Sequence, residues 1–172
     1  MTDGLTLTPA TIAVTYEGTP VDAKNYSLTT SDHGFVITFN EDYVRTLTAD
    51  KIILVTYKAV LNENAVVGGE GNDNTATLEY GNNHEVESTT TTFTYGFDIV
   101  KTDNTATLLV GAKFRLYDAL TGGNQICLVK VSDGRYRVNH NACTTDPDTF
   151  VEMDGTNTGV IRIEGLDAKT YY

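Results

Sequence analysis

Apolar and polar residues alternate along most of this chain. The alternation is clearest in segments 11–16, 25–29 and 34–39, each bounded by turn-forming residues such as Gly, Pro, Asp and Ser. A period of two is typical of half-buried strands, whereas amphipathic helices repeat every three to four residues. Only segment 41–47 has a pattern that favours a short helical turn. The pattern therefore predicts an all-β protein.

Segment 51–61 differs from the other predicted strands because it is longer, more apolar and rich in β-branched residues. These properties are typical of a strand in the centre of a sheet, where we expect to find it. Asp133-Gly134 predicts a tight hairpin turn between two later strands. The further predicted strands are 74–80, 88–94, 97–101, 112–117, 125–131, 134–138, 148–153 and 158–163.

Short strands at regular spacing, separated by Gly, Asn and Asp, are typical of β-sandwiches. The length of 172 residues is enough for two domains of immunoglobulin size. We therefore predict tandem immunoglobulin-like β-sandwiches, residues 1–95 and 96–172, with the boundary near Tyr95-Gly96. We also expect the first domain to lack its N-terminal strands and the second its C-terminal strands.

The charge of the chain excludes several classes of partner. Twelve Lys and Arg stand against 23 Asp and Glu, which gives a formal net charge of -11 and a pI near 4.5. Such a protein repels phosphate backbones and anionic lipids, so neither nucleic acid nor membrane is an expected partner. No apolar run has the length of a membrane span, and the first residues do not have the pattern of a signal peptide.

The two cysteines, Cys127 and Cys143, flank a predicted β-hairpin. An even pair predicts a disulfide in an extracellular protein and two thiols in a reducing cytosol. Their spacing does not fit a CxxC redox motif, and two ligands do not make a zinc site. The acidic loops 63–73 and 146–154 lack the EF-hand spacing, so we expect no metal and no cofactor.

Nothing in the sequence predicts an enzyme. The three histidines, His33, His84 and His140, lie in presumed loops, and no nucleophile elbow or paired carboxylates mark a hydrolytic site. A structural or binding role is therefore the expected function.

The second half of the chain carries the motifs of a known domain family. Segment 97–101 is a strand ending in Lys101, and after a short loop segment 109–117 fits the pattern L-x-G-A-x-F-x-L. Segment 159–167 with Tyr171-Tyr172 resembles a later pattern, G-x-x-x-x-x-G-L-x-x-G-x-Y-Y. Together these motifs resemble the Cna B-type domain, although the acidic E-box strand of that family is missing here.

The first half resembles another domain of the same kind of protein. Segments 1–7, 53–62 and 71–80 are similar to the middle domain of backbone pilins in sortase-assembled pili of Gram-positive bacteria. The resemblance implies an extracellular, cell-wall-anchored pilus subunit whose partners are other pilin subunits, sortase during assembly and host surface ligands. The alternative is a minor or tip pilin, or a wall-anchored adhesin that binds a host ligand.

Domains of this family form intramolecular Lys–Asn isopeptide bonds, and the resemblance assigns candidate residues for them. Lys101 matches the bond-forming lysine of the second domain, and Asn74, with Asn72 as its rival, matches the bond-forming asparagine of the first. Their partners are expected outside this chain. The reaction needs a neutral lysine amine, which burial favours, and a nearby protonated carboxyl that polarises the amide carbonyl.

Overall fold

Strands form nearly all the regular structure of the chain. The computed structural model describes residues 1–81, 83–139, 153–154 and 159–172. In this part, the helical elements are the one-turn helix α1, Glu41–Val44, and a 3-10 turn, Ala23–Asn25. The expected helical turn within 41–47 is therefore confirmed, as is the all-β class. No helix among the described residues has the length and hydropathy of a membrane span.

The strands are numbered in chain order. They are β1 Leu5–Tyr16, β2 Thr19–Pro20, β3 Tyr26–Ser31, β4 Gly34–Phe39, β5 Ile53–Leu61, β6 Asn72–Tyr80, β7 His84–Thr92, β8 Tyr95–Val100, β9 Lys113–Phe114, β10 Leu128–Ser132, β11 Arg135–Val138, β12 Met153–Asp154 and β13 Val160–Leu166. The predicted strand at 148–153 falls mostly outside the described residues.

The chain divides into two compact units. The first contains Met1–Asn64 and Asp73–Thr90, and the second contains Ala65–Asn72 and Thr91–Tyr172. The predicted division at residues 95 and 96 assigns segments 65–72 and 91–95 to the first domain. In the structure, both segments belong to the second compact unit. The domain boundary itself stays a prediction.

The first unit is built around β1, which pairs antiparallel with both β2 and β5. β5 therefore lies at the edge of this three-stranded sheet, and the expectation that segment 51–61 is central was wrong. Its side chains at 53–57 alternate between half-buried and exposed, so only one face of that stretch packs inward. β1 takes the central place because β2 pairs with its end, at Thr15 and Tyr16, while β5 pairs along it on the other edge.

The register of β1 shifts between Thr8 and Ala13. Pro9 lies in this interval and has no backbone N–H to donate to the ladder. The Thr11 side chain replaces part of the missing pairing, because its Oγ1 accepts from the Lys58 N–H at 2.8 Å and donates to the Thr8 carbonyl at 2.6 Å. The Thr11 side chain therefore links β1 and β5 across the irregularity.

Aromatic side chains join the β3–β4 hairpin to its neighbours in the first unit. Phe35 on β4 meets Tyr57 on β5 edge to face, with ring centroids 4.8 Å apart. Phe39 at the end of β4 contacts Tyr26 across the hairpin and stacks on Tyr43 of α1. The Phe35–Tyr57 contact therefore packs β4 against β5, and the two contacts of Phe39 pack the end of β4 against β3 and α1.

The second unit has a four-stranded sheet in the order β10-β11-β13-β8. β13 pairs antiparallel with β8 and parallel with β11. The Asp133-Gly134 turn joins β10 and β11 as predicted, with Gly134 at φ 67°. One face of this sheet carries the core of the unit, formed by Leu116, Leu128, Tyr136, Ile161, Ile163 and Leu166.

Candidate functional site

Asn74, on β6, lies in a small polar site of the first unit. Its carboxamide is half-buried, and Nδ2 donates to the hydroxyl of Tyr57 at 2.6 Å. The ring of Tyr57 is held in turn by the edge-to-face contact with Phe35. On the neighbouring strand β7, the Thr90 hydroxyl donates to the backbone carbonyl of Asn74 at 3.4 Å. Tyr57 on β5, packed against Phe35 on β4, therefore holds the Asn74 carboxamide, while β7 bonds the Asn74 backbone.

Asn72, the rival candidate, has a different environment in the second unit. Its side chain is fully buried, and its Oδ1 accepts from the Val66 N–H at 2.9 Å. Its Nδ2 donates to the carbonyl of Val66 at 3.1 Å and to that of Thr92 at 3.3 Å. All three partners are backbone groups, so Asn72 ties the segment 65–72 to the end of β7. These hydrogen bonds give Asn72 a structural role.

Lys101 follows β8 directly and is exposed. Its Nζ lies 3.4 Å from the carbonyl of Thr102, at the start of a turn in which Asp103 accepts from Thr105 and Thr107. The hydrogen bond from the Thr105 hydroxyl is the largest cause that lowers the pKa of Asp103. Among the described residues, the Lys101 amine therefore lies exposed to solvent.

Of the predicted disulfide pair, only Cys127 can be placed. It directly precedes β10, and its carbonyl accepts from the Asn139 N–H at 2.9 Å. Cys143 lies outside the described residues, so the Cys127–Cys143 disulfide stays a prediction.

The sequence interpretation missed a charged cluster on the outer face of the second unit's sheet. Glu164 on β13 is nearly buried, and its Oε2 accepts from Arg135 at 2.8 Å and lies 3.4 Å from Arg137. Arg162 approaches the other oxygen of Glu164 at 3.5 Å and Asp98 at 3.1 Å. The alternation Arg-x-Arg at 135–137 and Arg-x-Glu at 162–164 was the available signal.

Two opposing effects set the pKa of Glu164. Burial, the larger single effect, raises it, but the hydrogen bonds and positive charges of Arg135 and Arg137 together outweigh burial and hold the net pKa below its ordinary value of 4.5. The carboxylate is therefore charged at neutral pH and links β11 to β13.

An open cleft of about 440 Å³ lies beside the start of β8. Its lining includes the aromatic residues Tyr95, Phe97 and Tyr171, together with Leu166 and Lys169. The Tyr171 hydroxyl accepts from the Asp167 N–H at 3.0 Å. Burial is the main cause that raises the pKa of this phenol. The cleft is open to solvent and mainly apolar.

Among the described residues, no group of three His, Cys, Asp or Glu side chains could hold a metal ion. Comparisons with protein-family models, curated protein sequences and solved structures found no match to this chain.

Proposed function

We propose that this chain is part of a structural subunit of a covalent, sortase-assembled surface pilus, stabilised by intramolecular Lys–Asn isopeptide bonds. The proposal rests on the motifs that resemble backbone pilins and on the all-β architecture of the described residues. In this proposal the two units are immunoglobulin-like domains in tandem, and the subunit is extracellular and anchored to the cell wall.

The observation that favours this function most is the position of Asn74. The family resemblance selects Asn74 as the asparagine that a lysine amine attacks. Its carboxamide is half-buried, and Nδ2 donates to the Tyr57 hydroxyl at 2.6 Å. Asn74 lies on β6 and not in a loop, so a turn-forming role does not account for its side-chain partner. The asparagine that the resemblance left as a rival, Asn72, is instead fully engaged by backbone groups.

In this proposal, Lys101 is the lysine that forms the isopeptide bond of the second domain. Its amine is exposed among the described residues, so the reaction requires further strands to cover it, because burial favours a neutral, nucleophilic amine. An asparagine and a carboxyl group outside this chain would complete that site. The partners of the subunit are other pilin subunits, joined head to tail, and sortase during assembly.

The proposal is tested by asking whether the protein forms covalent polymers on the surface of its own cells. Cell-wall extracts boiled in detergent and probed with an antibody to this chain should give a ladder of high-mass species, because covalent polymers survive denaturation. Deleting the sortase should reduce the ladder to the single subunit. A single band in the presence of sortase would contradict the proposal.

A second candidate is a tip pilin or wall-anchored adhesin, favoured by the open, aromatic-lined cleft beside β8. Aromatic residues at an open cleft are typical of binding surfaces. Immunogold labelling separates the two candidates, since a shaft subunit is labelled along the fibre and a tip subunit only at its end.

A further inference from the structure

We propose that Tyr57 is a catalytic residue of the bond-forming reaction at Asn74. This inference rests on the proposed function, since it concerns how the Asn74 carboxamide reacts with a lysine amine. It goes further by assigning a role to a phenol that no sequence pattern selected.

The geometry restricts the carboxamide before any amine arrives. Nδ2 of Asn74 donates to the Tyr57 oxygen at 2.6 Å, a short distance for a hydrogen bond between nitrogen and oxygen. Tyr57 cannot easily turn away, because its ring meets Phe35 edge to face at 4.8 Å and 76°. Since the amide nitrogen points to the phenol, the carbonyl carbon of Asn74 keeps one orientation toward an approaching nucleophile.

Nδ2 of Asn74, the atom that is hydrogen-bonded to Tyr57, is also the atom that must leave in the reaction. A neutral lysine amine attacks the carboxamide carbon, which forms a new C–N bond and a tetrahedral intermediate. The bond to Nδ2 then breaks, and that nitrogen needs one more proton to depart as ammonia. In the tetrahedral intermediate Nδ2 has a free lone pair, so the Tyr57 hydroxyl, which accepts from the planar amide, can turn and donate this proton to it. Tyr57 recovers a proton from the lysine nitrogen, so that the products are the isopeptide and ammonia.

The two candidate asparagines differ in this respect. Asn72 makes its three hydrogen bonds to backbone groups, none of which can donate a proton to a leaving nitrogen. Asn74 has a side-chain hydroxyl at Nδ2. Tyr57 therefore also explains why Asn74 and not Asn72 is the reactive residue.

The substitution Tyr57→Phe tests the role, because it keeps the ring that packs on Phe35 and removes only the hydroxyl. The protein is pulse-labelled in its own cells, purified from the surface and mapped by mass spectrometry, and the cross-linked fraction of the Asn74 peptide is followed over time. We expect the variant to form the bond on the order of 100-fold more slowly, as for the loss of a general acid. Thermal unfolding followed by circular dichroism verifies that the variant is folded.

Tyr43→Phe is the matched control, since Tyr43 packs on Phe39 away from Asn74 and the change also removes one phenol hydroxyl. It should form the bond at the wild-type rate. A wild-type rate in Tyr57→Phe as well would overturn the catalytic role while leaving the proposed function intact. A wild-type protein with no cross-link at Asn74 would overturn both.

Discussion

At the scale of single residues, Asn72 shows how one buried carboxamide can organise a chain segment. Its side chain bonds both the N–H and the carbonyl of Val66, as a neighbouring strand would, and also reaches Thr92. Segment 65–72 has little regular structure of its own, so these bonds, with that from the Gly68 N–H to the Thr94 carbonyl, hold it in the second unit.

Replacing Asn72 by Ala should lower the free energy of unfolding by about 2 to 3 kcal/mol, because the backbone groups of Val66 and Thr92 lose their partner. Chemical denaturation measures the change. Asn104→Ala, at an exposed loop position, is the control and should change stability by less than about 0.5 kcal/mol. Equal stability of Asn72→Ala and the wild type would show that the segment is held by other contacts.

Glu164 gives the molecule a pH dependence. Its folded-state pKa lies below the ordinary value of 4.5, so its ion pairs stabilise the fold fully above that value and are lost as the pH falls through the folded-state pKa. Glu164→Gln should therefore lower the free energy of unfolding by about 2 kcal/mol at pH 7, and the difference should shrink toward zero in acid.

Urea denaturation of both proteins from pH 7 to pH 3 measures this difference. Glu41→Gln is the control, because its ion pair with Arg45 is largely exposed and should contribute no more than about 0.5 kcal/mol. A constant difference between Glu164→Gln and the wild type at every pH would contradict the role of the carboxylate charge.

At the scale of elements, the contact between β8 and β13 depends on a glycine. A Cβ atom added at Gly96 would lie 2.5 Å from the carbonyl oxygen of Ile163, a backbone atom that cannot move aside alone. Gly96→Ala should therefore lower the free energy of unfolding by about 1 to 3 kcal/mol, measured by thermal or chemical unfolding. Gly34→Ala is the control because a Cβ there would lie 3.9 Å from Ser31 Oγ, an ordinary contact distance, and Gly34 has no positive φ. Equal effects of the two changes would contradict the close packing of these strands.

The sequence pattern predicts individual strands better than their neighbours. The predicted segment 34–39 coincides with β4, because alternation and bounding turns are local signals. β1 begins at Leu5, well before the predicted 11–16, because Pro9 interrupts the alternation and the side chain of Thr11 repairs the ladder. The central place of β1, and not β5, depends on pairing between distant segments, which no local pattern encodes.

The same distinction applies to the candidate site. Asn74 and Lys101 were selected by motif alone, and the sequence carried no sign that Tyr57 would lie 2.6 Å from Asn74. That contact needs β5 and β6 to approach each other in space. The Glu164 cluster was missed for the same reason, since its arginines on β11 meet Glu164 only through a parallel strand pair.

At the scale of the whole molecule, charge is unevenly distributed between the units. The first unit has four Lys and Arg against twelve Asp and Glu, whereas the second has eight against eleven. Copies of such an acidic chain repel one another, so noncovalent association would depend strongly on salt. Covalent joining of subunits, as the proposed pilus requires, removes that dependence.

The most direct test of this account is the intact mass and peptide map of the protein purified from the cell surface. The account predicts the loss of one ammonia for each bond formed, with Asn74 and Lys101 each found in a branched peptide joined to a residue outside this chain. An unmodified mass, with both residues in linear peptides, would contradict the isopeptide-stabilised pilin.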